Sequence, residues 1–196
     1  SAHVQHEQQA RHIAEQAQLT PSCLLQSAEL KLLVTDYVHA DMQACIQDIA
    51  SLLAHTHSID SHFLQTHHQE IIAQRLAFDI QTLAKTDKLD TRLQLLAKQL
   101  DETSGNQVFC HGDVSRANIL KTHNKTYLVD WEYARMACIE YDLAASICIN
   151  QFNPAEQKQL LTHYQKRSNC KINQHTLQQY IQVFEYLNKL WFEHAI

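Results

Sequence analysis

Apolar residues recur along the chain with two different periods, and the switches between them outline its elements. Residues 3–18 are polar and rich in Gln and His, and the pattern predicts a helix ending near Leu19-Thr20-Pro21. The residue before a proline is pushed out of helical geometry, which marks the boundary. Leu24-Leu25 and Leu30 to Thr35 read as short strands of a small sheet, the second running into Asp36-Tyr37-Val38. Asp41 is placed as the N-cap of the next helix. Its apolar positions Met42, Cys45, Ile46, Ile49, Leu52 and Leu53 follow the i, i+3, i+4, i+7 spacing of one buried face. A linker carrying His55, His57 and His62 precedes a helix with Ile72, Leu76, Ile80 and Leu83 on one stripe. Leu89, Leu93, Leu96 and Leu100 mark another, stopped near Ser104-Gly105.

The pattern then changes. An apolar lead-in, Val108 to Cys110, ends at His111-Gly112-Asp113, with Asn118 five positions after the aspartate. Ile119-Leu120 and Tyr127-Leu128-Val129 are short strands joined at His123-Asn124-Lys125, a β-hairpin whose second strand delivers Asp130. Helical patterns resume over 139–149, opening with Glu140-Tyr141-Asp142-Leu143-Ala144. Another starts at Asn153-Pro154, since asparagine caps well and proline fits the first turn. The last runs from Thr176 to the end, with Tyr180, Phe184, Leu187 and Trp191 on one face. The expected class is α+β: a helical lobe with one inserted hairpin, preceded by the stub of a small sheet. The boundary is placed between residues 1–38 and residues 39–196.

Composition narrows the function. With 196 residues, 45% hydrophobic and 19% charged, the chain can bury a real core, and a disordered or fibrous class is excluded. A formal charge of −5 without any Lys/Arg block argues against a nucleic-acid surface. No apolar run approaches the roughly 18 residues a membrane span needs, and the N-terminus has no signal-peptide core. The expected location is therefore cytoplasmic, with no membrane partner. The six cysteines are scattered without a C-x-x-C pair. They are expected to be reduced thiols, with Cys45, Cys138 and Cys148 as small buried hydrophobes. His55, His57, His62, His67 and His68 have no convergent pairing with an acid and read as solvated surface histidines. The chain has two glycines, Gly105 and Gly112, so a glycine-rich phosphate loop cannot form within it. It begins with Ser rather than Met and is expected to be trimmed or cleaved ahead of residue 1.

The chemistry concentrates at the hairpin. Asp113, Asn118 and Asp130 place two carboxylates and a carboxamide at its edges, a set suited to Mg²⁺ and a phosphate chain. H-x-D-x-x-x-x-N followed by a strand and Asp is the phosphoryl-transfer arrangement of protein kinases and their small-molecule relatives. One aspartate must reach the attacking hydroxyl as base or orienter. The asparagine one loop-turn later faces the metal, and the second aspartate holds the Mg²⁺ that bridges the phosphates. His-Gly-Asp in place of His-Arg-Asp, Asp130-Trp131-Glu132 in place of Asp-Phe-Gly, and the lack of a following Ala-Pro-Glu exclude an ordinary protein kinase. The words F-C-H-G-D-V-x-x-x-N-I-L, Y-L-V-D-W-E-Y-A and Y-D-L-A closely resemble the choline/ethanolamine kinase, thiamine kinase and aminoglycoside phosphotransferase superfamily. The Asp-Trp-Glu-Tyr-Ala run looks most like its bacterial choline- and thiamine-kinase branch.

That resemblance implies a protein-kinase-like fold, here mostly the helical C-terminal lobe with the remnant of an N-terminal sheet lobe. It implies Asp113 as the catalytic aspartate, Asn118 and Asp130 as Mg²⁺ ligands, and His111 and Asp142 as braces of the catalytic loop. Asp36, Tyr37 and Val38 resemble the hinge that meets adenine, and Glu7 resembles the glutamate that pairs with the ATP-binding lysine. No residue of this chain fills the role of that lysine; Lys31 comes after the helix instead of before it. Arg135 and Ala137 also depart from the family pattern, which usually has Gly and Asp there. Glu132, Tyr133 and Trp191 are candidates for binding a cationic acceptor, since aromatic rings attract quaternary ammonium groups. The implied activity is ATP- and Mg²⁺-dependent phosphorylation of a small hydroxyl compound: choline, ethanolamine or thiamine first, an aminoglycoside second. A non-catalytic small-molecule-binding module is the reading from a different class.

Overall fold

The computed structural model describes residues 2–27, 29–30, 32–60, 64, 76–83, 89–102 and 106–194. Helix α1 (Ala2–Gln16) ends where Gln18 turns left-handed at φ 57°. Strands β1 (Cys23–Ser27) and β2 (Leu32–Thr35) pair antiparallel, Ser27 opposite Leu32. After a link along the hairpin come α2 (Ile46–His57), α3 (Leu76–Leu83) and α4 (Thr91–Asp101). Strand β3 (Val108–Cys110), β4 (Ile119–Lys121) and β5 (Thr126–Leu128) follow, and β6 (Arg135–Ala137) closes the strand set. Three helices complete the chain: α5 (Ile139–Ile149), α6 (Pro154–Ser168) and α7 (Gln174–His194).

The class is α+β, and the helices hold the core. Helix α5 is apolar nearly all round, and Tyr141 to Ile147 are all buried, as expected of a helix packed on every side. It lies against α7, while α6 packs on α2. Tyr180, Phe184 and Leu187 of α7 are buried, with Tyr180 and Phe184 edge-on to the Tyr141 ring. Asn153 caps α6, accepting from the Ala155 and Glu156 amides, and Pro154 opens the helix as its sequence predicts.

Two antiparallel ribbons carry the loops of interest: β4–β5, with Ile119 opposite Leu128, and β3–β6, with Phe109 opposite Met136. The β4–β5 pair is the hairpin foreseen from the sequence. The β3–β6 pair is not, because Arg135–Ala137 is a short stretch with no alternation of its own. Trp131 glues the two ribbons together. Its ring stacks on Phe109 at 5.6 Å, meets His111 edge-on at 4.5 Å, and donates to the Leu128 carbonyl. Such aromatic pairs add about 0.5–1.5 kcal/mol beyond area burial.

Several expectations need correction. Asp41 does not cap α2. Met42 instead bridges to Lys121 of β4, so residues 41–45 run along the hairpin and the helix starts only after Cys45. Asp48 closes that end, accepting from the Cys45 amide at 2.7 Å and pairing with Lys121 at 2.6 Å. Met42 and Cys45 are consequently exposed instead of facing the core. The helix also runs through His55 and His57, which the hydropathy pattern assigned to a linker. Of that histidine set His57 is buried, not solvated, while His55 is exposed. Lys31, His62, His67, His68, Ile72 and Ser104-Gly105 lie outside the described residues. All six cysteines are free thiols. Among the described residues no helix is long and apolar enough to cross a membrane.

Candidate active site

The loop from Cys110 to Asn118 is shaped by a tight approach and by a neighbouring helix. Gly112 has φ 86°, in the left-handed region. A Cβ there would stand 2.6 Å from the Tyr133 carbonyl oxygen and 2.9 Å from the Tyr133 Cβ. Backbone cannot yield as a side chain can. Gly112→Ala is therefore expected to lower stability by about 2–3 kcal/mol, read as a melting point about 4–12 °C lower.

Helix α5 and its C-terminal cap grip this loop with three polar side chains spaced four apart. Asp142 is completely buried, and its carboxylate accepts from the His111 amide at 2.9 Å and the Gly112 amide at 2.8 Å. Ser146 donates to the Val114 carbonyl at 3.0 Å. Asn150 donates to the same carbonyl at 2.9 Å and accepts from the Arg116 amide at 2.9 Å. On a helix, positions i, i+4 and i+8 form one stripe. Three polar residues at that spacing along a mostly apolar helix were the signal available in the sequence for Ser146 and Asn150.

His111 links the two edges of the site. Its Nδ1 accepts from the Asp113 amide at 3.1 Å, so its Nε2 carries the proton and donates to the Val129 carbonyl at 3.0 Å. Burial holds the ring's pKa below its ordinary value, against the pull of Asp142 and the Val129 bond, which suits that neutral tautomer. The ring thus ties the backbone of Asp113 to the residue just before Asp130.

Asp113 and Asn118 come together, and Asp130 lies near enough for its charge to act on Asp113. Asn118 Nδ2 donates to the Asp113 carboxylate at 2.8 Å and to its carbonyl at 3.1 Å. The Asn118 carbonyl accepts from the Val129 amide at 2.9 Å, setting it beside the short link from β5, which ends at Leu128, to Asp130. Asp130 itself has φ 67°, a strained conformation for a residue with a side chain. Burial raises the carboxyl pKa of Asp113 above the usual value, and the nearby Asp130 charge adds to it while Asn118 opposes. Oxygen atoms from carboxylates and a carboxamide are the donors a hard cation such as Mg²⁺ takes, so the set fits that ion.

Glu7 of α1 faces the same edge. Its carboxyl pKa is raised by burial and then by the charges of Asp130 and Glu132. His6, one residue earlier, bonds the Ala134 carbonyl at 2.6 Å and pins α1 to the turn after Asp130. Burial and the carboxylates of Glu132 and Asp113 push the Tyr133 hydroxyl up to about 12, so it remains a donor. The other expected positions lie further out. The Asp36 amide is committed to the Ser22 carbonyl, and Tyr37 is 87% exposed. Trp191 stands exposed near the end of α7, its ring edge-on to Phe192. Arg135, which departs from the family pattern, is buried on β6, paired with Asp79 at 3.1 Å and lying over the Tyr141 ring.

Sequence reasoning missed the buried residues beneath the loop. His57 Nε2 lies 3.1 Å from Asp142 Oδ2 and its Nδ1 lies 2.8 Å from the Tyr164 hydroxyl. Helical spacing carries His57 on the buried side of α2 with Leu53 and Ala50, which was the available cue.

The family model for choline/ethanolamine kinase matches residues 3–189. The LicA homolog of Metamycoplasma hominis is 32% identical over 78 residues, or 40% of this chain and 30% of that protein. The match therefore spans less than a third of that relative's length. The choline kinase LicA from Streptococcus pneumoniae superposes with a TM-score of 0.76 at 18% identity, covering 98% of this chain and 72% of that one. A LicA structure in complex with AMP gives a TM-score of 0.74 at 18% identity, covering 96% and 69%. At those identities the structural likeness shows the fold, which is protein-kinase-like.

Proposed function

The chain belongs to the choline/ethanolamine kinase family, and from that premise we propose that it transfers the γ-phosphoryl group of ATP to the hydroxyl of a small cationic alcohol. Choline, ethanolamine and thiamine are the favoured acceptors. The observation that carries the reading is the Asp113–Asn118 contact at 2.8 Å, at the edge of the hairpin whose second strand ends two residues before Asp130.

In this reading Asp113 orients the acceptor hydroxyl and takes its proton. Its raised pKa suits the task, because a carboxylate with higher proton affinity is the stronger base. Asn118 spends its nitrogen on Asp113 and offers Oδ1 to the cation; Asp130 offers its carboxylate. When bound there, Mg²⁺ supplies charge neutralisation for the phosphates. Glu7, Asp130 and Glu132 make this edge acidic, which suits a cationic acceptor, and Tyr133 presents a half-exposed ring that can face one. The backbone of Asp36 to Val38 is the proposed adenine contact. That a LicA structure holds AMP supports a nucleotide for this chain too.

A coupled assay of ADP release tests the proposal. Choline, ethanolamine or thiamine is expected to turn over with ATP and Mg²⁺, and EDTA is expected to stop the reaction. Binding of the alcohols without ADP release would make the chain a binding module instead. Turnover of a kanamycin-type acceptor alone would overturn the substrate class.

A further inference from the structure

We infer that His57 is a positioning residue for phosphoryl transfer, acting on Asp113 through the buried carboxylate of Asp142. The inference rests on the kinase reading above for its kinetics, but not for its geometry.

Asp142 is 0% exposed and holds three partners: the His111 and Gly112 amides and the His57 ring. A carboxylate only accepts, so Nε2 of His57 carries the proton shared with Oδ2. The other ring nitrogen meets the Tyr164 hydroxyl at 2.8 Å, and the two rings pack edge to face at 5.5 Å. The imidazole is therefore fixed at both ends, by α6 on one side and α5 on the other. The two amides it helps to hold immediately precede Asp113, whose own amide is held by His111 Nδ1. A chain of hydrogen bonds thus runs from Tyr164 through His57, Asp142 and the loop backbone to Asp113. Cys110 Sγ also lies within 4.8 Å of these ligand atoms. It is engaged with the Val108, Ala137 and Cys138 carbonyls, and burial keeps its thiol protonated, so the group is a brace and not a metal cage.

The test uses the whole chain labelled with ¹⁵N-glycine, in which Gly105 and Gly112 are the two glycine amides. In His57→Leu the Gly112 amide is expected to shift and to exchange with solvent at least ~10-fold faster. His57→Gln, whose Nε2 can donate to the same oxygen, is expected to keep the signal in place. His55→Leu, on the exposed side of the same helix, leaves it unmoved. In the ADP-release assay His57→Leu lowers kcat by about 10–100-fold with little change in KM for either substrate, and His57→Gln recovers most of it. An unmoved Gly112 amide in folded His57→Leu, or a Gln variant as impaired as the Leu variant, overturns the assignment. Should His57→Leu fail to fold, Tyr164→Phe takes its place: a shifted Gly112 amide supports the role and an unshifted one overturns it. The amide signal needs no turnover. A chain inactive on every alcohol would remove the kinase reading and leave Gly112 to decide for His57.

Discussion

Asp113→Asn is expected to lower phosphoryl transfer by about 10²–10⁴-fold, the usual worth of a positioned general base, while nucleotide affinity stays close to that of the unmodified chain. The change is nearly isosteric. The carboxamide oxygen of the variant can still accept from Asn118, and the backbone bonds of the loop, from Asp142 and His111, do not involve the altered atoms. What is removed is proton affinity and one negative charge. Because burial and Asp130 both work against the ionised form of Asp113, its removal relieves a strained site, and the melting point is expected to hold or to rise. Loss of turnover with retained or improved stability is a signature that a merely structural aspartate cannot give. Kinetics of ADP release, nucleotide titration and a thermal melt measure the three quantities, and undiminished turnover removes Asp113 from the role.

The parts legible in the sequence were those set by short-range patterning. The β4–β5 hairpin follows from two apolar stretches around His123-Asn124-Lys125, and α5 and α6 from their periodicity and the Asn153-Pro154 start. The hairpin-edge residues were legible for the same reason: the spacing from Asp113 to Asn118 lies within one loop. Long-range pairing was not. Strand β6 exists because Phe109 and Met136 meet across the whole hairpin, and Arg135 is buried because Asp79, 56 positions earlier, neutralises it. Met42 shows the same failure in reverse. Its helical spacing was real, but the Lys121 backbone offered its amide a partner, and Asp48 moved the start of α2 past Cys45. His57 was misread because a histidine's burial depends on finding a carboxylate, and Asp142 lies 85 positions away.

That carboxylate is where the second large effect is expected. Asp142→Asn keeps one oxygen, which can still accept from Gly112, but replaces Oδ2 with an NH₂ group. Oδ2 accepts from both His57 and the His111 amide. The imidazole can adapt by moving its proton to Nδ1; the His111 amide cannot, and is left buried facing another donor. One orphaned buried donor costs about 1–3 kcal/mol, and loss of the charge-assisted bonds adds to it, for a total of about 3 kcal/mol. A urea titration should show a lower midpoint with an unchanged m-value, since the variant unfolds from the same compact state. The pH dependence identifies the charge as the cause. Burial opposes ionisation of Asp142, but the His57 bond and the His111 amide outweigh it and hold its pKa below the usual carboxylate range. A group with a depressed folded pKa stabilises the protein above its unfolded value and loses that contribution as pH falls through the folded one. The gap between the unmodified chain and Asp142→Asn is therefore expected to stay level from neutral pH down to about 4, the unfolded value for aspartate, and to close below it. A gap that closes already near pH 6 would mean that a histidine, and not the carboxylate, holds the loop.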